Sequence, residues 1–281
     1  MYASLRNILA AVLLLTSVHG RREDKLLYVP VHVGGHGPYW FAVDSGAHNS
    51  VIDPFIVEEL GLTVTGTMTT KGTGEGDVPV RTVAPLDMRI GDVTLKIAEP
   101  WVIDLSGVPI PKWVHGLVGA EFFEAYVVEL DPERATMRFF DPATFRKPHG
   151  AVAVPLEDAN HRFFMRVTID VNGKEHVERR VRIDTGSGDS VGDEIVSKGR
   201  RVRETTLGQG LGSDYKSVSG LVDAVHIGPF AVHNVWGPAT RFPAIGMEML
   251  RRFTMTFDVP HRALYLQPNA HLGDAVPPPE H

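Results

Sequence analysis

The sequence predicts a mostly β fold, built as two duplicated lobes with few short helices. Asp44-Ser45-Gly46 and Asp184-Thr185-Gly186 stand 140 positions apart, and each closes an apolar, strand-like run. Each run follows another strand and a glycine turn: Leu27–Val33 with Gly34 and Gly35, then Phe164–Val171 with Asn172 and Gly173. Farther along, Leu117-Val118-Gly119 and Ala244-Ile245-Gly246 are each followed, twelve residues after the glycine, by Asp131 and Asp258. Agreement of that kind is an internal repeat, which sets the architecture before any single motif does.

In chain order, the first twenty residues read as an export signal. Arg6 supplies the positive start, Ile8–Val18 the apolar run, and Gly20 a small residue at a cleavage point. The run is too short to cross a bilayer, so no stable membrane anchor is expected. Lys25 to Val43 has a hairpin pattern and opens a first lobe expected over 25–145. After the Asp44 turn, Ser50–Leu62 reads as a strand end and one short helix. The glycine-rich stretch Thr69–Asp77, with Gly72, Thr73 and Gly74, suits either a hairpin over a cleft or a mobile surface loop. Strand alternation returns at Leu86–Gly91.

Asp141–Gly150 reads as the connection, and the second lobe is expected over 150–268. Its counterpart of the glycine-rich stretch is Thr206–Tyr215, with Gly210, Leu211 and Gly212. Those glycines lack the Lys-Ser/Thr ending and the following helix of a phosphate loop. Val222–Gly228 resumes the strand pattern, and a tail over 269–281, rich in proline, is expected to be disordered. Arg179, Arg180 and Arg182, and the run Lys198–Arg203, read as solvated strand and loop faces.

Composition narrows the function classes. The chain has 281 residues, 43% of them apolar, enough to bury a core without staples. Its net charge of −6, or −7 once residues 1–20 and their single Arg6 are removed, argues against a nucleic-acid partner. Cysteine is absent, which excludes disulfides, a thiol nucleophile and cysteine-ligated metal. The thirteen histidines show no shared metal spacing and no His-Glu-x-x-His, and there is no Gly-x-Ser-x-Gly elbow. No metal and no cofactor is expected.

An Asp-[Ser/Thr]-Gly-[Ala/Ser] turn after an apolar strand, with two apolar residues and a glycine later in the same lobe, resembles the aspartic proteases. The short lobes are more similar to the retropepsin-like branch than to pepsin, and the resemblance spans roughly residues 25–268. It implies an acid-protease fold with one active site between two lobes of one chain, and Asp44 and Asp184 as its catalytic pair. It also implies a peptide or protein substrate; the short connection and near-equal lobes favour a monomer, and the N-terminal signal pattern a periplasmic or secreted location. The glycine-rich stretches stand where hairpin flaps would lie, the first of them without the tyrosine of the pepsin flap.

The chemistry gives each turn position a use. A carboxylate beside a carboxylic acid can hold a water, take its proton and protonate a leaving nitrogen. Ser45 and Thr185 can hydrogen-bond near the pair, while Gly46 and Gly186 permit a tight turn whose N–H groups reach the carboxylates. Arg182, on the same strand face as Asp184, occupies a position the family fills with an apolar residue. Glu121 and Glu248, two residues past the repeated glycines, read as charges at helix N-termini. A peptide-binding protein that kept the cleft without catalysis, and a dimer that builds its sites between chains, are the competing readings.

Overall fold

The computed structural model describes residues 12–208 and 210–278. Among the described residues strand dominates and the α-helices are three and short, in a two-lobed, mostly β arrangement. A ten-stranded sheet forms the first lobe and an eight-stranded sheet the second. Each starts from an antiparallel pair, Leu26–Val33 on His36–Val43 and Phe163–Val171 on Glu175–Ile183. Alternation decides which side is packed: along Phe163–Val171 the odd positions, from Phe163 to Val171, are buried and the even ones lie outside.

A six-stranded sheet joins the lobes in the order Leu14–His19, Thr136–Phe140, Val127–Asp131, Phe253–Asp258, Ala263–Pro268, Val152–Pro155. Its centre is self-complementary. Val128 pairs with Phe257 and Leu130 with Met255 about the central pair Glu129 and Thr256, so a twofold axis runs through that pair. These strands end at Asp131 and Asp258, the residues whose twelve-residue interval marked the repeat. Phe123 of the first lobe packs against Phe257 and Phe163 of the second, with ring centroids 5.0 and 5.8 Å apart. Buried aromatics at such spacings favour edge-on packing and weld the lobes through one continuous core.

The duplication starts earlier than the sequence suggests. His19 pairs with Thr136 on one edge, and Pro155 with Ala263 on the other. Gly20 N donates to Ala135 O at 2.7 Å and Leu156 N to Arg262 O at 3.0 Å, with both acceptors in the left-handed region. Leu14–His19 is therefore the twin of Val152–Pro155. Residues 14–19, expected to leave with the signal, form an edge strand with Thr16 and Val18 buried, whereas 1–11 lie outside the described residues. An apolar run of β-branched residues and leucines serves a sheet edge as well as a signal core, so composition does not separate the two.

The tail also differs from its expectation. Arg252, fully buried, donates to Asp274 O at 2.9 Å, Arg251 pairs with Asp274, and Val276 is buried in the core. A buried guanidinium needs acceptors, and this one draws residues 269–276 onto the lobe. Residues 279–281 lie outside the described residues.

A chain begun at Arg21 is expected to unfold earlier than the full chain. Loss of the Val18 burial and the strand pairing costs about 3 kcal/mol, or roughly 6–12 °C in Tm for a chain of this size. Equal melting temperatures in a calorimetric comparison would show that the strand contributes nothing.

Candidate active site

Each lobe brings its aspartate to the centre in the same way. Asp44 follows His36–Val43, and its N–H donates to Val118 O at 3.0 Å; Asp184 follows Glu175–Ile183 and donates to Ile245 O at 3.0 Å. Val43 lies beside Val118 and Ile183 beside Ile245 in parallel pairing, so the later apolar-apolar-glycine segments run under the aspartate turns. Ala120 N donates to Ala47 O at 3.1 Å and Met247 N to Ser187 O at 2.7 Å, which closes both loops. A Cβ on Gly119 would lie 2.4 Å from Asn49 C and one on Gly246 2.6 Å from Asp189 O, so only glycine fits under either turn.

The two turns are locked by an exchange of hydroxyls. Ser45 N donates to Thr185 Oγ1 at 2.9 Å and Thr185 N to Ser45 Oγ at 3.1 Å. Each hydroxyl in turn donates across to the strand entering the opposite turn, Ser45 to Ile183 O and Thr185 to Val43 O, both at 2.8 Å. All four bonds are buried, and every donor and acceptor in the ring is used once.

This lock presses each glycine onto the opposite carboxylate. A Cβ on Gly46 would sit 2.7 Å from Asp184 Cγ, and one on Gly186 2.3 Å from Asp44 Cγ. Asp44 and Asp184 are thus brought together with Ser45, Gly46, Thr185 and Gly186.

The carboxylates have different partners. Asp44 Oδ1 accepts from Gly46 N at 2.8 Å and Ala47 N at 3.1 Å. Asp184 Oδ2 accepts from Arg182 at 2.6 Å. Among the described residues no turn amide donates to the Asp184 carboxylate, so the N–H expected from Gly186 is replaced by a guanidinium. Burial, then the charge of Asp184, push the Asp44 carboxyl up to about 7, against the opposing pull of Arg182 and the two amides. The raised carboxyl favours the proton on Asp44, beside the Arg182–Asp184 ion pair.

The glycine-rich stretches meet each other. Gly74 N donates to Leu211 O at 2.9 Å, and Glu75 and Ser213 exchange two bonds of 2.8 Å. A Cβ on Gly72 would strike Leu211 O, so Gly72, Thr73 and Gly74 and Gly210, Leu211 and Gly212 form one contact between two hairpin tips. Gln209 lies outside the described residues.

Other side chains differ from their expected roles. Glu121, in a helix of only six residues, accepts from Ser50 N at 2.9 Å and Ser50 Oγ at 2.8 Å, while that hydroxyl accepts from Gly119 N. It fixes the return of the Asp44 loop, beyond any effect on a helix terminus. Glu248 pairs with Lys25 of the other lobe at 2.8 Å, and His161 reaches back to Glu124 at 2.7 Å. These reciprocal clasps come from hairpin tips whose turn chemistry is visible in the sequence and whose partners are not. The Arg179–Arg182 run is no simple solvated face: Arg179 pairs with buried Asp193, Arg180 with Glu157, and Arg182 with the site itself.

Removing the Thr185 hydroxyl strands Ser45 N and Val43 O in a buried place. Thr185→Ala is expected to lose about 2–5 kcal/mol, with Thr185→Ser retaining most of it. Urea unfolding midpoints measure this; an Ala variant as stable as Thr185→Ser would refute a structural role for the exchange.

Residues 29–122 match the family model described as aspartyl protease, a span that holds Asp44, its turn and Gly119. A search of curated proteins found no match.

Proposed function

We propose that this chain, a member of the aspartic protease family through residues 29–122, is an endopeptidase that hydrolyses peptide bonds at Asp44 and Asp184. The observation that carries the reading is the glycine contact: each Asp-hydroxyl-Gly turn presses its glycine on the carboxylate of the other. Two carboxyl groups so close share a proton, an effect for which this family is the standard illustration.

Asp184, as carboxylate, takes a proton from a water held between the pair while Asp44, as acid, hydrogen-bonds the peptide carbonyl. The water oxygen adds to the carbonyl carbon as the Asp44 proton passes to the carbonyl oxygen. The tetrahedral carbon then collapses, its C–N bond breaking as the proton taken by Asp184 moves to the leaving nitrogen and the former carbonyl oxygen returns its proton to Asp44. The substrate lies extended and adds backbone hydrogen bonds beneath the paired hairpin tips. Hairpins from both lobes support a retropepsin-like arrangement. Both aspartates come from one chain, which supports a monomer, and neither metal nor cofactor is needed for this chemistry. The site consists of Asp44 and Asp184 with Ser45, Gly46, Thr185 and Gly186 as its supporting turns. Export belongs to the same proposal, on the pattern of Arg6 and the apolar run Ile8–Val18.

The test is digestion of casein from acid to neutral pH beside Asp44→Asn and Asp184→Asn. Each variant is expected to lose at least a thousandfold in kcat while staying folded. Wild-type activity is expected to fall as pH rises through about 7, where Asp44 gives up the shared proton. Cleavage that survives either substitution sinks the dyad.

The Arg182 contact favours a second reading, a peptide-binding protein, because the guanidinium occupies one oxygen of the base. Arg182→Met separates the two. In the endopeptidase the substitution removes a charge that holds Asp44 down, so the alkaline limit moves to higher pH. If the wild type is silent and Arg182→Met cuts casein, the native chain is the binder.

A further inference from the structure

The two lobes differ most beside the dyad. Ala42 and Arg182 each stand two residues before an aspartate, and their cross-strand partners are Tyr28 and Phe164. Two residues earlier still are Leu26 and Arg162, each closing a turn with two left-handed residues, Asp24 and Lys25 in one lobe, Asn160 and His161 in the other. Where the first lobe carries Leu26 and Ala42, the second carries two arginines.

The surroundings diverge with them. In the first lobe this outer face is covered. Trp113, at the end of the eleven-residue connection 103–113, packs on Tyr28 and Trp40 with centroids 5.0 and 5.7 Å apart. The corresponding connection of the second lobe, 239–243, has five residues. It runs beside Arg182, whose N–H donates to Pro243 O at 2.9 Å, and leaves Phe242 70% exposed. The face of the second lobe is therefore open where that of the first is closed.

Charge on this open face does not balance. Phe164 and Arg166 face Arg182 and Arg180 across the strands. Arg166 pairs with Glu178 at 2.6 Å, Arg180 with Glu157 at 2.6 Å, and Arg182 with Asp184 at 2.6 Å. No carboxylate among the described residues pairs with Arg162. Its Nε, like that of Arg182, is buried without an acceptor. Burial and the neighbouring Arg182 push its pKa down, the signature of a partly desolvated guanidinium in want of an anion.

We propose that Arg162, with Arg182 behind it, forms a subsite that takes an acidic side chain of the substrate close to the scissile bond. A peptide carboxylate would supply the missing counter-charge and accept the two-pronged hydrogen bonds a guanidinium offers. Phe242, on the adjoining connection, offers apolar surface to the stem of that side chain. The preferred substrate is then a peptide with Asp or Glu beside the cut. This specificity rests on the endopeptidase reading, although the binding it invokes does not.

Cut sites in casein, mapped by mass spectrometry, supply the test peptides. The fastest-cut site is remade with Glu, Gln or Lys at each of the two residues on either side of the cut. At one position Glu is expected to exceed Gln by roughly ten- to hundredfold in kcat/KM, mostly through KM, with Lys poorer than Gln. Arg162→Gln brings the Glu-to-Gln ratio near one, Arg162→Lys keeps part of it, and Arg162→Glu reverses it toward Lys. A ratio between peptides cancels any difference in the amount of folded enzyme. A wild type indifferent to Glu at all four positions, or an Arg162→Gln chain with the wild-type ratio, overturns the subsite.

If the wild type cuts nothing, the endopeptidase reading fails separately. Fluorescence anisotropy of labelled, alanine-rich decapeptides with a central Glu, Gln or Lys then decides the subsite. Glu-selective binding that Arg162→Gln abolishes supports it; equal binding or none overturns it.

Discussion

Four hydrogen bonds between Ser45 and Thr185 and the strands that enter their turns hold the molecule to its geometry. They cross from one lobe to the other, and they join the turns rather than the aspartates themselves. That division matters physically. Carboxylates forced together repel whenever both are ionised, so the repulsion must be opposed by something that does not titrate. Hydroxyls and backbone amides meet that need at every pH, and burial keeps water from competing for them.

The same twofold logic continues below the turns. The central strands pair about Glu129 and Thr256, which sets the lobes at one fixed angle and carries the axis up through the exchanged hydroxyls. The clasps Lys25–Glu248 and His161–Glu124 repeat it at the periphery. Displacement of one lobe would break bonds at three levels at once, and such cooperativity lets a site between lobes be as well defined as one inside a single domain.

Much of this was legible in the sequence because repetition compensates for weak signals. Asp-Ser-Gly alone is an ordinary turn; its second copy, with Gly119 and Gly246 at matching places, pointed to the fold and to the meeting of the two turns together. Strand Leu14–His19 was missed because its leucines and valine suit an export signal equally well. The packed tail was missed because what orders it is one buried arginine, Arg252, whose burial no local pattern announces. The Arg162 environment was missed for a third reason. Its meaning lies in the absence of a carboxylate partner, and partners are set by tertiary neighbours.

Asymmetry, in the end, is where such a molecule becomes specific. A strictly symmetric dyad shares its proton without preference, and a strictly symmetric cleft offers a peptide the same wall in both directions. Here the symmetry of the pair is broken because Arg182 lies on Asp184 while only turn amides reach Asp44. The same substitution of arginine for alanine, joined by arginine for leucine at Arg162, makes one wall cationic and the other aromatic. A peptide chain has a direction, so in the proposed endopeptidase unlike walls would select the orientation in which it lies across the pair. One departure from the repeat thus bears on both the surroundings of the carboxyl pair and, in the proposed endopeptidase, the polarity of its substrate, and both follow from a guanidinium placed two residues before a carboxylate.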